Sequence, residues 1–104
     1  MKVCILGAGN VATHLARAFS KVRHDVAVWN RGEAALRPIA AELGCPCTTE
    51  MDALPKDADV YIISVKDDAV AAVAKQLALC LGETKAMVAH TAGSLPKSLV
   101  DGCF

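Results

Sequence analysis

The feature that most constrains the fold is a glycine-rich segment, Gly7-Ala8-Gly9-Asn10-Val11-Ala12, between two apolar stretches of different periodicity. Lys2 to Leu6 is short, rich in Val and Ile and bounded by glycine, which predicts a buried strand. After it, apolar side chains recur at helical spacing, which predicts an amphipathic helix with Asn10 as its N-cap. The stretch carries Val11, Leu15, Ala18, Phe19 and Val22. The chain therefore begins with a strand, a glycine turn and a helix.

The rest of the sequence repeats this alternation of strands and helices. Further strands are predicted at Asp25 to Trp29, Cys45 to Thr48, Asp59 to Val65 and Ala86 to His90. A helix is predicted near residues 37–43, with Pro38 in the first turn and Gly44 after the end; the alternative is a helix kinked after a turn at residues 33–36. Another helix is predicted from a cap at Asp67 or Asp68 to Gly82. Apolar strands joined by amphipathic helices predict an α/β fold. We expect a doubly wound, mostly parallel sheet of about five strands, with helices on both faces.

Length and charge narrow the class of protein. A chain of 104 residues, 54% hydrophobic, fits one packed domain. The formal net charge is zero, which argues against a nucleic-acid partner because phosphate contacts need clustered Lys and Arg. The apolar runs are too short for a membrane span or a signal peptide, so we expect no membrane partner and a cytoplasmic location.

The five cysteines are scattered, at residues 4, 45, 47, 80 and 103. An odd, dispersed set does not predict a disulfide framework. Cys45 and Cys47 are the only close pair, and their spacing differs from that of a zinc site. We therefore expect buried thiols and no metal.

The glycine-rich segment also matches the G-x-G-x-x-G/A fingerprint of dinucleotide-binding domains. Gly7 would allow the sharp exit from the strand, Gly9 the approach of a pyrophosphate, and Ala12 close packing of the helix on the sheet. The helix N-terminus would offer N–H groups and partial positive charge to phosphates. We therefore expect Gly7, Ala8, Gly9, Asn10 and Val11 to bind cofactor; the alternative is a purely structural turn.

The end of the second strand indicates which dinucleotide is bound. NAD-binding domains usually carry Asp or Glu there, to hold the ribose 2′-hydroxyl. This chain has Asn30 and Arg31, which can hydrogen-bond and pair with a 2′-phosphate. We expect NADP(H) rather than NAD(H); the alternative is a solvated loop arginine.

Ligands of such sheets bind beyond the carboxyl ends of the strands. There Ser64, Val65 and Lys66 could line the ribose and pyrophosphate, although Lys66 could equally be a solvated neighbour of the helix. His90 and Thr91 would lie near the nicotinamide. The sequence assigns no catalytic residue, and His90 is the candidate: it could orient a carboxamide or exchange a proton with substrate. The alternative is a histidine satisfied by backbone.

At these positions the chain resembles a known family. Residues 5–15, Val28-Trp29-Asn30-Arg31, residues 62–70 and His90-Thr91-Ala92-Gly93-Ser94-Leu95 are similar to Rossmann-like NADP oxidoreductases. These are related to pyrroline-5-carboxylate reductase and to deazaflavin-dependent NADP reductases. Within the group, the chain most resembles bacterial oxidoreductases in which a helical domain of unknown function follows the Rossmann-like domain.

The resemblance implies an NADP-binding domain over residues 1–104, with the pyrophosphate at Gly7 to Val11 and the 2′-phosphate near Asn30 and Arg31. It also implies a C-terminal helical domain that dimerises and closes the substrate site. We expect that domain to be absent from this chain, because one nucleotide-binding domain uses nearly all 104 residues. Asp67-Asp68 stands where pyrroline-5-carboxylate reductases typically carry Pro-Gln, so their substrate is not transferred.

The leading hypothesis is the NADP(H)-binding domain of a dehydrogenase or reductase, which transfers hydride on a small molecule of unknown identity and is a homodimer when complete. The alternative is a non-catalytic module that senses nucleotides. A methyltransferase is a third possibility. Both of these would usually carry an acidic residue at the end of the second strand, which is missing here.

Overall fold

The structure is a computed structural model and describes residues 1–82 and 86–90. Its strands are β1 (Lys2–Leu6), β2 (Asp25–Trp29), β3 (Cys47–Thr48), β4 (Val60–Ile63) and β5 (Met87–His90). Its helices are α1 (Asn10–Lys21), α2 (Leu36–Leu43) and α3 (Val70–Leu81), and single 3₁₀ turns form at Met51–Ala53 and Asp67–Ala69. The described part follows the predicted alternation.

The strands form one sheet in the order β3-β2-β1-β4-β5, and every pairing is parallel. The central strand β1 pairs with β2 on one side, Val3 opposite Val26, and with β4 on the other, Val3 opposite Val60. At the far side, Ile63 of β4 lies opposite His90 of β5. The predicted α/β fold is confirmed.

The two faces of the sheet carry separate apolar clusters. Along β1, Val3 and Ile5 belong to the cluster beneath α1 and α2, whereas Cys4 and Leu6 belong to the cluster beneath α3. This alternation follows from the strand period of two, which sends successive side chains to opposite faces. Helices therefore cover both faces, as predicted.

The predicted helix caps are wrong at both sites. The N-cap of α1 is Gly9 rather than Asn10, and the N-cap of α3 is Ala69 rather than an aspartate; neither makes a side-chain capping bond. Gly9 has extended backbone and its carbonyl accepts from both the Thr13 amide at 2.9 Å and the Thr13 hydroxyl at 2.8 Å. The chain thus enters α1 one residue early. A 3₁₀ turn over Asp67–Ala69 moves the start of α3 to Val70.

Other predicted bounds differ in detail: β3 begins at Cys47 rather than Cys45, and β5 at Met87 rather than Ala86. Helix α2 begins at Leu36, one residue before the predicted start, and Pro38 lies in its first turn, where a missing N–H costs nothing. Strand β4 ends at Ile63 rather than Val65. The Ser64 amide still donates to the Leu6 carbonyl at 2.8 Å, after which the chain turns into the 3₁₀ segment. Residues 96–100, predicted to form helical turns, lie outside the described residues.

The helices in the described ranges are all too short or too polar to cross a membrane.

Candidate functional site

A cleft of about 790 Å³ opens at the carboxyl edge of the sheet. It brings together predicted site residues from three separate segments of the chain. They are Gly7, Ala8, Gly9, Asn10, Val11, Asn30, Arg31, Ser64, Val65 and Lys66. These segments follow β1, β2 and β4, which are neighbours in the sheet.

Gly7 sets how closely the β1 and β4 segments approach each other. Its φ is +131°, and a Cβ placed on it would lie 2.0 Å from the Ser64 carbonyl oxygen. Its amide donates to the Trp29 carbonyl at 2.6 Å, which joins the turn to the end of β2 as well. A side chain at residue 7 would therefore force the ends of β1 and β4 apart.

Gly9 has a different role, because the space above it is empty of protein atoms. A Cβ on Gly9 would have no neighbour within 4 Å, and its φ of −80° is open to any residue. The first intrahelical amide bond of α1 is that of Thr13, so the Asn10, Val11 and Ala12 amides have no acceptor within the helix. Open space over unpaired helix N–H groups fits an anionic phosphate.

The Asn30–Arg31 segment forms the β2 side of the cleft. Asn30 Nδ2 donates to the Gly32 carbonyl at 2.9 Å, and the Asn30 amide donates to the Thr48 carbonyl at 3.2 Å. These bonds fix the turn that carries Arg31. Arg31 is exposed, and no carboxylate among the side chains that the structure describes (residues 1–66, 68–82 and 86–90) lies within ion-pair distance of it. Its guanidinium is available to an anion in the cleft.

Among the side chains that the structure describes, the β4 side of the cleft carries a cation and an anion. Lys66 and Asp68 are both exposed and both line the cleft. The Lys66 carbonyl accepts the Ala69 amide at 2.8 Å, which holds the turn before α3. Asp68 is thus a lining carboxylate near the predicted phosphate contacts.

Five lining residues were not among the predicted cofactor contacts: Trp29, Ala35, Asp68, Ala69 and Val73. Trp29 ends β2 directly before a predicted contact, so its position could have indicated it. Asp68 lies in the 3₁₀ turn two residues after Lys66, and its closeness in sequence to a predicted contact is the only signal for it. Ala35 and Val73 reach the cleft through the placement of α2 and α3, which the sequence pattern does not specify. Trp29 is 4% exposed and its indole N–H donates to the Thr49 carbonyl at 3.0 Å.

His90 ends β5, the strand beyond β4, and it does not line the cleft. Both of its ring nitrogens are buried, and neither has a hydrogen-bond partner in the described part of the chain. Within the described ranges, no backbone group therefore bonds to this imidazole, and the two interpretations of His90 remain predictions. Thr91, predicted beside it, lies outside the described residues.

Cys4, Cys45, Cys47 and Cys80 are all free thiols. Burial raises the pKa of Cys4 to about 12, and burial together with the nearby Cys45 thiol raises the pKa of Cys47 to about 11. The Sγ atoms of Cys45 and Cys47 are 4.0 Å apart. Within the described ranges, no group of three or more potential ligands is placed to hold a metal ion. Cys103 lies outside them.

Residues 2–93 match the family described as NADP oxidoreductase, coenzyme F420-dependent. The chain belongs to this family. This confirms the resemblance to Rossmann-like NADP oxidoreductases. It also favours a domain of an oxidoreductase over a nucleotide-sensing module.

The relatives are considerably longer than this chain. A glycerol-3-phosphate dehydrogenase [NAD(P)+] from Limosilactobacillus reuteri is 30% identical over 112 residues, which cover 93% of this chain and 33% of the relative. A structure from Bacteroides fragilis, assigned as an NADP oxidoreductase, is 33% identical with a TM-score of 0.85, over 97% of this chain and 39% of that one. A pyrroline-5-carboxylate reductase from Coxiella burnetii, 24% identical with a TM-score of 0.87 over 97% and 38%, shares the fold. The chain is thus similar to the nucleotide-binding part of NAD(P)-dependent oxidoreductases.

Proposed function

We propose that this chain binds NADP(H) in the cleft and forms the cofactor half of an oxidoreductase that transfers hydride to or from a small molecule. The observation that carries the proposal is the empty space over Gly9, which faces the unpaired amides of α1. A pyrophosphate placed there would accept from N–H groups at the positive end of the helix dipole. Gly7 to Val11 would thus hold the middle of the dinucleotide.

The preference for NADP(H) rests on the charges at the end of β2. Asn30 occupies the position where an acidic residue would hold a ribose 2′-hydroxyl and repel a 2′-phosphate. Arg31 follows it on a turn fixed by the Asn30–Gly32 hydrogen bond, and none of the carboxylates whose side chains are described pairs with it. Its guanidinium would pair with the 2′-phosphate.

The other half of the dinucleotide would extend from the pyrophosphate towards β4. Ser64, Val65 and Lys66 would line the ribose and the pyrophosphate there, and the Lys66 ammonium would offset phosphate charge. The nicotinamide ring supplies the hydride, and the protein supplies orientation and electrostatics. Val65, Ala69 and Val73 give this side an apolar wall, which would exclude water from the ring.

The same proposal covers the substrate-binding domain, oligomeric state, location and partners of the whole protein. The relatives are about three times as long as this chain, so we place the substrate-binding half in a helical domain outside these residues. We further propose that the complete protein is a cytoplasmic homodimer acting on a small molecule, without a nucleic-acid or membrane partner. Zero net charge supports the absence of a nucleic-acid partner.

Calorimetric titration of this chain with NADPH and with NADH tests the proposal. We expect tighter binding of NADPH. Arg31→Ala should weaken NADPH binding by roughly 10- to 100-fold, since a hydrogen-bonded charge pair contributes about 1.5–3 kcal/mol, and should leave NADH binding unchanged.

The matched control is Arg23→Ala, which also removes one arginine charge. Arg23 precedes β2 and so lies at the amino-terminal ends of the strands, away from the cleft at their carboxyl ends. It should leave both titrations unchanged. Absence of saturable NADPH binding would remove the proposed function. NADH binding as tight as that of NADPH would remove the assignment to Arg31.

A further inference from the structure

His90 is the one residue in the described part of the chain whose buried side-chain polar atoms have no hydrogen-bond partner. A neutral imidazole has one donor and one acceptor nitrogen, and here both are unpaired. Such an orphan polar group is rare in native proteins because burial without a partner costs free energy. A hydrogen-bond partner from outside the described residues would therefore remove the free-energy cost of burying this imidazole.

The sheet places His90 on the same face as the apolar wall of the cleft. Val88 packs against the cluster beneath α3, and His90, two residues on, points to the same face. Ile63 lies opposite His90 in the register and belongs to the same cluster. The N-terminal end of α3, which lines the cleft through Ala69 and Val73, covers this face too.

The order of the strands then determines which part of a dinucleotide comes near His90. Arg31 follows β2, Gly9 follows β1, Ser64 follows β4, and β5 lies one strand further. With the 2′-phosphate at Arg31 and the pyrophosphate at Gly9, the nicotinamide half must extend past β4. Neighbouring strands are about 4.8 Å apart, so His90 lies roughly 5 Å beyond the β4 side of the cleft.

We propose that His90 is a cofactor-binding residue whose imidazole hydrogen-bonds to the carboxamide of the nicotinamide ring. The inference rests on the proposed function, since it needs NADP(H) in the cleft. A carboxamide carries both a carbonyl acceptor and an N–H donor, so it can pair with either ring nitrogen of a neutral histidine. The bond would fix the rotation of the nicotinamide ring and thereby the face from which hydride leaves.

The experiment compares two ligands by calorimetry: NADP⁺, and 2′-phospho-ADP-ribose, which is NADP⁺ without the nicotinamide ring. For His90→Phe, we expect NADP⁺ to bind about 3- to 10-fold more weakly, as for the loss of one hydrogen bond, with no change for 2′-phospho-ADP-ribose. The control is Met87→Ala, on the opposite face of the same strand, which should change neither affinity.

A thermal melt without ligand separates this role from a structural one. Because His90→Phe replaces an unpaired polar ring with an apolar one, we expect Tm to stay the same or rise. If the Phe variant does not fold, His90→Leu provides the same comparison with a smaller apolar side chain. Equal weakening of both ligands, or of neither, would overturn the inference. Failure of the unmodified chain to bind 2′-phospho-ADP-ribose would instead refute the proposed function.

Discussion

The two glycines of the fingerprint should respond in opposite ways to the same substitution, because one faces backbone and the other faces open space. In Gly7→Ala, the new methyl group would lie 2.0 Å from the Ser64 carbonyl oxygen, at a φ of +131°. A strained backbone of this kind costs about 1–3 kcal/mol, and overpacking against immobile atoms costs about 1–3 kcal/mol more. The sum, roughly 2–6 kcal/mol, is a large part of the stability of a small domain.

Gly9→Ala meets no protein atom within 4 Å and keeps an ordinary φ. The reduced freedom of the unfolded chain stabilises by about 0.4–1 kcal/mol, and the poorer N-cap offsets a similar amount. Stability should therefore change by less than about 1 kcal/mol. The methyl group would, however, occupy the proposed pyrophosphate position, and NADPH binding should weaken by roughly 5- to 150-fold, as for overpacking of about 1–3 kcal/mol.

Thermal melting and NADPH titration of the two variants together form the assay. For a domain of this size, each 1 kcal/mol shifts Tm by about 4–8 °C, so Gly7→Ala should lower Tm by at least about 10 °C. Gly9→Ala should melt within several degrees of the unmodified chain and lose affinity. A Gly9→Ala variant that binds NADPH normally would refute the assignment of this space to the pyrophosphate. A Gly7→Ala variant of normal Tm would refute the close contact of the β1 and β4 segments.

Two further predictions concern stability. Tyr61 is fully buried, and its hydroxyl donates to the Pro55 carbonyl and accepts from the Ala58 amide. Tyr61→Phe should therefore cost about 1–3 kcal/mol, seen as a lower urea midpoint at unchanged m-value, and an unchanged midpoint would contradict this. Arg17 on α1 and Glu42 on α2 form a bidentate pair, which lowers the pKa of Glu42 below its usual 4.5. The pair therefore stabilises the folded state above pH 4.5, and this contribution is lost as acid protonates Glu42. The drop in Tm between pH 7 and pH 3 should thus be smaller in Glu42→Gln, and an equal drop would show that the pair adds no pH-dependent stability.

The helices could be predicted from apolar side chains at helical spacing, and the longer strands from short continuous apolar runs. The apolar stretch at residues 2–6 and the apolar stripe on α3 specify their elements locally. The caps could not be predicted from residue type. Asn10 and Asp68 are residues that favour the N-cap position, but the backbone places Gly9 and Ala69 there instead. At α1 the competing factor is the Gly9 backbone, whose carbonyl is bound twice by Thr13.

The cleft was predictable only in part. Gly7, Gly9 and Arg31 follow strands and match a fingerprint, so position and residue type both indicate them. Val73 reaches the cleft because of the angle at which α3 packs on the sheet, which is a tertiary property. The sequence likewise could not predict that the buried His90 ring has no hydrogen-bond partner among the described residues. A histidine at this position could equally well bond to the backbone.

The parallel pairing of β1 has a consequence for how the chain folds. β1 has no neighbour close in sequence: its partners are β2, beyond α1, and β4, which pairs Val60 with Val3. Each pairing closes a long loop before it gains contacts, so folding should be slow for a chain of this length. During synthesis, both edges of β1 can be covered only after the chain has reached residue 63, the end of β4. In that interval the exposed edge of β1 is the segment most open to aggregation or chaperone binding.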